Sequence, residues 1–267
     1  MSVHPGSGRA AGVQPPGRES ARVDVRGAIA RNAVWYHTLA LPGGILTPGQ
    51  IDLRKAAARL LPDDLSGKRA LDVGTFDGFW AFELERRGAE VVAIDLGGVD
   101  QAQIPPEHRE LVARETIEFD VELGRGFRIA SDLLGSRAQR VVCNVLELTP
   151  EAIGGPVDVA FMGALLIHLR DPVQALERIS RALVPGGELY QLETVSVPLS
   201  LLHPRRPVAR LQTLETSFNW WCPNWAALRA WLTTAGFAAV RSRGLYHPPQ
   251  RRPMNDWFRG IHSRRPA

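Results

Sequence analysis

Residues 70–95 constrain the fold of this chain most strongly. They read as a short buried strand, a glycine turn, a helix and a second strand that ends on an acid. Gly74 and Gly78 bracket the turn, where the backbone has to bend sharply and approach a ligand closely. Asp95 lies 23 residues beyond Asp72, which is where a βαβ unit places an acid beside a ribose diol. The segment predicts half of a nucleotide-type binding site, with an ordinary βαβ crossover as the alternative.

The glycine turn excludes two common phosphate-binding motifs. A dinucleotide fingerprint needs glycine at its first, third and sixth positions, and this chain has Gly74, Phe76 and Phe79 there. The two phenyl groups would stand where a pyrophosphate needs bare backbone and where the helix packs against the strand. A P-loop is also excluded, because no Gly-Lys-Ser/Thr follows the turn.

The pattern Asp72-x-Gly74-x-x-x-Gly78, followed by Asp95, resembles the class I S-adenosylmethionine (SAM) methyltransferases, whose cofactor has no phosphate. The resemblance implies that the turn faces the methionine and sugar portions of SAM, and that Asp95 binds the ribose hydroxyls. It also implies that the amide of Asn144 accepts a hydrogen bond from the adenine amino group. S-adenosylhomocysteine would be the product. Phe76 departs from the pattern, since the family usually has glycine there. The expected cofactor-binding residues are Asp72, Gly74, Thr75, Phe76, Gly78, Asp95, Leu96, Asn144, Val145 and Gly163.

Strands and helices continue to alternate after the βαβ unit. Residues 140–145, 156–163 and 188–195 are apolar strands, and a further strand is expected from Ala239. Pro172 stands just inside the start of a helix whose apolar residues recur at helical spacing. This alternation predicts an α/β fold: a doubly wound, mostly parallel, Rossmann-like methyltransferase sheet with ligands at the carboxyl ends of its strands.

The chain is expected to divide into a tail, a cover and a cofactor-binding domain. Residues 1–26 are rich in Gly, Pro, Ser and Arg, and we expect them to be disordered. Residues 27–66 would form an N-terminal helical cover, and residues 67–267 the SAM-binding methyltransferase domain. That domain would carry insertions at about residues 101–124 and, after its fifth strand, at residues 196–223. With 267 residues and 45% hydrophobic content, the chain can bury one full core and an appended subdomain.

Composition predicts a cytoplasmic enzyme with neither a metal centre nor a membrane association. The two cysteines, Cys143 and Cys222, form no disulfide framework and no metal-binding spacing. No apolar run approaches the length of a transmembrane helix, and the N-terminus lacks the apolar core of a signal peptide. The sequence leaves the oligomeric state open.

A narrower resemblance lies outside the glycine turn. Residues 35–38 (Trp-Tyr-His-Thr) and 166–172 (Leu-Ile-His-Leu-Arg-Asp-Pro) resemble the branch that includes the bacterial tRNA wobble-uridine carboxymethyltransferases. Carboxymethylating members of this branch have a tyrosine before the histidine of the second segment. Here that position is Ile167, which offers no hydroxyl to a carboxylated cofactor. The chain has only two lysines, Lys55 and Lys68, and neither stands where a residue that binds the cofactor carboxylate is expected. We therefore predict ordinary SAM and methyl transfer.

Positive charge is concentrated in the last quarter of the chain. From His203 onward there are eleven arginines and two acids, a balance of +9. Arginine suits phosphate oxygens and tryptophan can stack on bases, so tRNA is a possible partner. The alternative is a solvated basic surface with a frayed end, because the arginines are scattered through proline-rich loops. The same tryptophans could line a pocket for a small-molecule acceptor. The expected substrate-binding residues are Trp35, Tyr36, Arg205, Trp220 and Trp221.

Methyl transfer from a sulfonium requires positioning, desolvation and, for a hydroxyl acceptor, a base. His168 is the first candidate base, because it follows the fourth strand at the edge of the SAM site and histidine titrates in the useful range. The alternative is a structural imidazole. His37, in the N-terminal cover, is the second catalytic candidate. Asp77 is expected to order the glycine turn, Asp171 to cap a helix, and Glu193 either to reach the acceptor or to bond a neighbouring turn.

Together these features predict a SAM-dependent methyltransferase that acts on a small molecule, with O-methylation in biosynthetic metabolism as the first interpretation. One alternative is a methyltransferase that modifies tRNA near the wobble position. Another is a regulatory protein that binds SAM without turnover, an option that Phe76 keeps open. The missing glycines disfavour an NAD-dependent oxidoreductase.

Overall fold

A computed structural model describes residues 24–213, 218–251, 254 and 256–267 of the chain. The strands, in chain order, are β1 (Ala40–Leu41), β2 (Ile45–Leu46), β3 (Arg69–Val73), β4 (Glu90–Asp95), β5 (Gln139–Val142), β6 (Val157–Gly163), β7 (Leu183–Thr194), β8 (Ala209–Leu211), β9 (Trp221–Pro223), β10 (Ala238–Tyr246) and β11 (Phe258–Arg264). The central sheet has the order β5-β4-β3-β6-β7-β11-β10. Its first five strands are parallel, and β11 is antiparallel to both neighbours. The predicted mostly parallel Rossmann-like sheet is confirmed.

Helices cover both faces of this sheet. They are α1 (Val25–Ala30), α2 (Arg54–Leu60), α3 (Phe79–Arg86), α4 (Arg109–Glu118), α5 (Arg125–Leu134), α6 (Pro172–Ala182), α7 (Val197–Leu202) and α8 (Trp225–Thr234). One core lies under α2, α3 and α5 and includes Leu60, Trp80 and Phe127, whereas the other lies under α6 and α8 and includes Leu176 and Leu228. Strands buried on both faces read as continuous apolar runs, which is why the sequence revealed them.

Helix starts follow the predicted capping chemistry. The side chain of Asp171 accepts a hydrogen bond of 2.9 Å from the backbone of Gln174, and Pro172 is the first residue of α6. Asn224 caps α8 in the same manner by accepting from Ala227 at 2.8 Å. Each cap satisfies a backbone N–H that has no partner within its own helix.

The C-terminal segment differs from the prediction of a frayed end. It forms β11, which lies between β7 and β10 and completes the sheet. Arg264 is 2.7 Å from the carboxylate of Glu188, and Arg265 donates to the backbone carbonyl of Leu183. Both arginines thus have partners within the protein, and their part in a phosphate-binding surface stays a prediction. Polar residues in β11, such as the fully buried Ser263, hide its strand character in the sequence.

The segments predicted as cover and insertions have their own short elements. Residues 27–66 contain the hairpin β1–β2 and helix α2, and α1 begins at Val25 because the Asp24 side chain accepts from Gly27. Residues 1–23 of the predicted tail lie outside the described residues. The first insertion contains α4, and the second contains α7 and the hairpin β8–β9. Helices of the described residues are all too short or too polar to cross a bilayer.

Candidate functional site

A pocket opens at the carboxyl ends of β3, β4 and β5, as expected for a ligand site in an open parallel sheet. It encloses about 420 Å³ of space, part of which is open solvent. Its lining residues are Gly74, Ile94, Asp95, Leu96, Gln101, Gln103, Cys143, Asn144, Val145, Leu165 and Leu169. Five of the ten expected cofactor-binding residues are therefore on its wall: Gly74, Asp95, Leu96, Asn144 and Val145.

The two glycines of the turn have different physical roles. Gly74 has φ +75°, and an added Cβ would come within 3.3 Å of Leu165 on the opposite wall of the pocket. Gly78 has φ +89° and precedes α3, where a Cβ would lie 2.5 Å from the ring of Phe82. Gly74 thus keeps the pocket open, whereas Gly78 lets α3 and its aromatic core pack against the turn.

Phe76, which departs from the resembled glycine pattern, has a backbone conformation that favours glycine. Its φ is +48°, a left-handed conformation that costs a residue with a Cβ about 1 to 2 kcal/mol. Its N–H donates to Asp95 at 2.8 Å, and its ring lies edge-on to Tyr36 with 6.2 Å between the centroids. The side chain therefore contacts the N-terminal cover and does not form part of the pocket wall.

Asp95 and Asn144 are held in place by neighbouring backbone. The Asp95 carboxylate accepts from Phe76 and from Leu96, each at 2.8 Å. Burial raises the pKa of Asp95, and these two hydrogen bonds oppose the rise. The Asn144 oxygen accepts from Leu146 at 3.0 Å. Each carboxylate oxygen can accept more than one hydrogen bond, so Asp95 retains capacity for a ribose diol.

The donor set fits SAM. The pocket wall combines one carboxylate and polar amides with apolar side chains, and it includes no lysine or arginine, so it suits a ribose and an adenine without phosphate. Asp72 and Thr75 lie buried at the turn, and each has a side-chain oxygen without a partner among the described residues. Burial raises the pKa of Asp72 to about 7. Gly163, at the end of β6, packs against Trp80 and Phe161 and does not line the pocket.

Asp77 ties the N-terminal cover to the glycine turn. One carboxylate oxygen accepts from the backbone of Tyr36 at 3.0 Å and of His37 at 2.7 Å, and the other lies 2.5 Å from Nδ1 of His37. The His37 ring is buried and stacks on Phe79 with 5.3 Å between the centroids. The structure thus places His37 in a buried contact with Asp77, away from the pocket wall.

The two substrate-binding residues expected in the cover, Trp35 and Tyr36, differ in their exposure. Trp35 is only 2% exposed, and its indole donates to the backbone of Ile29 at 3.1 Å, so it is a core residue and offers no face to a substrate. Tyr36 is half-buried. Burial, Asp256 and Asp77 together raise the pKa of its hydroxyl to about 12.

His168 ends a single 3₁₀ turn, Leu166–His168, that follows β6. Its Nδ1 lies 3.1 Å from the backbone oxygen of Phe218, so that nitrogen donates and Nε2 carries the lone pair. Burial lowers the pKa of His168, and the hydrogen bond opposes this change. Leu169, the next residue, lines the pocket. The arrangement supplies a neutral imidazole beside the cofactor site.

The tryptophans of the second insertion are bonded to the pocket residues. The indole of Trp220 donates to the backbone of Gln103 at 2.5 Å, and that of Trp221 donates to Leu169 at 3.0 Å. The backbone N–H of Trp220 also donates to Ile167 at 2.7 Å. The insertion therefore folds against the outer wall of the pocket. Arg205, by contrast, is exposed in the loop after α7.

Glu193 is fully buried at the end of β7 and does not line the pocket. One carboxylate oxygen accepts from the backbone of Leu166 at 3.4 Å, and the other has no partner among the described residues. Burial raises the pKa of Glu193 to about 8. Glu193 was predicted either to reach the acceptor or to bond a neighbouring turn. The structure shows the second arrangement, in which Glu193 supports the turn that carries His168.

Several lining residues were missed by the sequence. Gln101 accepts from Gly97 at 2.8 Å, and Gln103 accepts from the backbone of Arg170 at 2.6 Å, which fixes both amides at the pocket. They lie in a segment that the sequence marked only as an insertion. Leu165 lies two residues beyond the end of β6, and its place after a strand end was the one signal that could have indicated it.

A family model described as a methyltransferase domain matches residues 50–242. The chain belongs to this methyltransferase family. Solved structures agree with the fold of the methyltransferase. The N-terminal domain of EvdMO1, in the presence of S-adenosylhomocysteine and D-fucose, is 19% identical with a TM-score of 0.59, over 93% of this chain and 100% of that one. The magnesium protoporphyrin IX methyltransferase from Synechocystis PCC 6803 with bound S-adenosylhomocysteine is 17% identical with a TM-score of 0.51, over 80% and 81%. The prediction of a methyltransferase domain is confirmed by the family model, and the two solved structures support its fold.

Curated relatives of the methyltransferase carry a more specific name. The tRNA U34 carboxymethyltransferase of Pseudomonas paraeruginosa is 30% identical over 182 residues, which is 67% of this chain and 47% of the relative. The protein of the same name from Azotobacter vinelandii is 30% identical over 182 residues, with 67% and 48% covered. The chain thus spans about half the length of these relatives.

Proposed function

We propose that this methyltransferase transfers the methyl group of SAM to a hydroxyl of a small molecule. The observation that carries the proposal is the engagement of Trp220 and Trp221. Their indole N–H groups bond to the backbone of Gln103 and Leu169, so the second insertion covers the outer wall of the pocket. Tryptophans held in this way support a covered site for a small acceptor better than an open platform for stacked bases.

The residues around the pocket have separate tasks in this proposal. Bound SAM supplies a methyl group on a positively charged sulfonium, which is a good leaving group. Asp95 and Asn144 hold the cofactor through its sugar and base. Nε2 of His168 accepts the proton that the hydroxyl loses as it attacks, because burial keeps this imidazole neutral at physiological pH.

Ordinary SAM is proposed rather than a carboxylated form of the cofactor. Ile167 is buried and carries no hydroxyl. Lys55 is exposed on α2, and Lys68 lies 3.5 Å from Asp158 at the amino-terminal edge of the sheet, opposite the pocket. Neither lysine is in a position to bind a carboxylate on the cofactor.

A tRNA acceptor is the second candidate, and specific observations favour it. The curated relatives are named for tRNA U34, and Arg205 and Arg206 are exposed on the second insertion. Exposed arginines can contact backbone phosphates without base stacking. One observation weighs against this candidate. Arg264 and Arg265, which the sequence grouped with Arg205 and Arg206, bind partners in the sheet.

One labelling experiment separates the two candidates. Methyl-labelled SAM and purified protein are incubated with an extract of the source organism that lacks this gene. The products are then divided into RNA, which RNase releases, and soluble metabolites. Label in the soluble fraction is expected, whereas label in RNA would replace the small-molecule proposal with the tRNA candidate. His168→Ala, with His203→Ala as the matched control, shows whether any label depends on the proposed base.

A further inference from the structure

The loop that precedes β11 lies beside the reactive edge of the sheet. The backbone N–H of Val195, just beyond β7, donates to the carbonyl of Trp257 at 2.8 Å. Asp256 is therefore next to the carboxyl end of β7, at the same edge as the cofactor pocket. Trp257 is 40% exposed and stacks on His247 with 4.6 Å between the centroids.

Gln250 forms hydrogen bonds with the backbone of Asp256 and also contacts the N-terminal cover. The Gln250 side chain donates to the Asp256 carbonyl at 2.8 Å and accepts from the Asp256 N–H at 2.9 Å. Gln250 also forms a β-bridge with Ile51, whose N–H donates to the carbonyl of Tyr36 at 2.9 Å. This series of contacts connects Asp256 with Tyr36, and both residues lie outside the wall of the cofactor pocket.

The two side chains act on each other electrostatically. The negative charge of Asp256 contributes to the raised pKa of Tyr36. Burial alone raises the pKa of Asp256, with no contribution from a basic residue in the described part of the chain. No hydrogen bond to the Asp256 carboxylate is found among the described residues, and Tyr36 lies edge-on to Phe76 of the cofactor turn. A half-buried carboxylate with no cation beside it among the described residues suits a ligand that donates hydrogen bonds.

We propose that Tyr36 and Asp256 form the acceptor subsite, which takes a neutral or cationic small molecule through its hydroxyl or ammonium groups. The subsite rests on the proposed function, because it assumes that the acceptor is a small molecule. Asp256 accepts hydrogen bonds from the acceptor, and the Tyr36 ring supplies an apolar wall beside the cofactor turn. A phosphorylated acceptor is disfavoured, because its charge would lie against Asp256, with Asp77 nearby.

The test uses the soluble metabolites of the gene-deleted extract as the probe, with methyl-labelled SAM. Wild-type protein is compared with Asp256→Asn and with Tyr36→Ala, which removes the ring. Asp63→Asn, at an exposed position just after α2, is the matched control. Labelled products are separated by ion exchange into neutral or cationic and anionic compounds. SAM affinity is measured for each variant by calorimetry, so that loss of the cofactor site is distinguished from loss of the acceptor subsite.

We expect a neutral or cationic product, with transfer reduced about tenfold or more in Asp256→Asn, the fold-change for one lost hydrogen bond to a charged group. SAM affinity should stay within about twofold of wild type. Wild-type transfer in both variants, or an anionic product, overturns the subsite while the proposed function stands. Label confined to RNA, or no label at all, rejects the proposed function and the subsite together. Loss of SAM affinity in both variants also overturns the subsite, because the residues would then support the cofactor turn.

Discussion

The substitution Glu193→Gln should remove a pH-dependent destabilisation of the folded protein. Glu193 is fully buried, one of its oxygens has no partner among the described residues, and burial raises its pKa to about 8. In the unfolded chain this group loses its proton near its ordinary pKa of about 4.3. The folded state therefore binds more protons than the unfolded state between these two pKa values, and stability falls as the pH rises through that window.

The magnitude follows from the shift. Each pH unit within the window changes the free energy of unfolding by about 1.4 kcal/mol. From pH 6 to pH 8, Glu193 should therefore cost wild-type protein roughly 2 to 3 kcal/mol, on the order of the linkage slope multiplied by the interval. Glutamine keeps an oxygen for the Leu166 N–H and does not titrate. The stability of the variant relative to wild type should rise across this interval and level off above pH 9.

Urea denaturation of both proteins at a series of pH values measures this difference. Glu118→Gln, at an exposed position on α4, is the matched control and should show no pH-dependent difference from wild type. A constant offset between Glu193→Gln and wild type from pH 6 to pH 9 would refute the reasoning. It would mean that Glu193 does not remain protonated in the folded protein.

Three further predictions concern the site. Asp95→Asn should weaken SAM binding about 10- to 100-fold in calorimetry, because it replaces one acceptor oxygen with a donor. Full affinity in the folded variant would show that the cofactor binds elsewhere. His168→Ala should depress methyl transfer roughly 10²- to 10⁴-fold with SAM affinity retained, and wild-type turnover would exclude it as the base. Asp77→Asn should lower the free energy of unfolding by about 1 to 3 kcal/mol and speed proteolysis of the N-terminal cover, because the charged acceptor for Tyr36 and His37 is lost. Unchanged protease resistance would show that the cover is held by other contacts.

Much of the fold was predictable because its signals are local. The strands that are buried on both faces appear as apolar runs, and the caps at Asp171 and Asn224 act within three residues of the chain. Strand β11 was missed, since it mixes arginines and polar residues with buried ones. Its place between β7 and β10 depends on a pairing with residues about 70 positions away, which local patterns do not encode.

By itself, the sequence determined the glycine turn, the acid at position 95 and the alternation of strands and helices, because each depends on the spacing of nearby residues. Only the tertiary structure decided which candidates meet. His37 pairs with Asp77 across 40 positions of the chain, Trp220 bonds to Gln103 across 117, and Trp35 packs into the core. A side chain of the same type can be a base, an anchor or a core residue. Its partners are set by where distant segments pack, and that packing minimises the free energy of the whole chain.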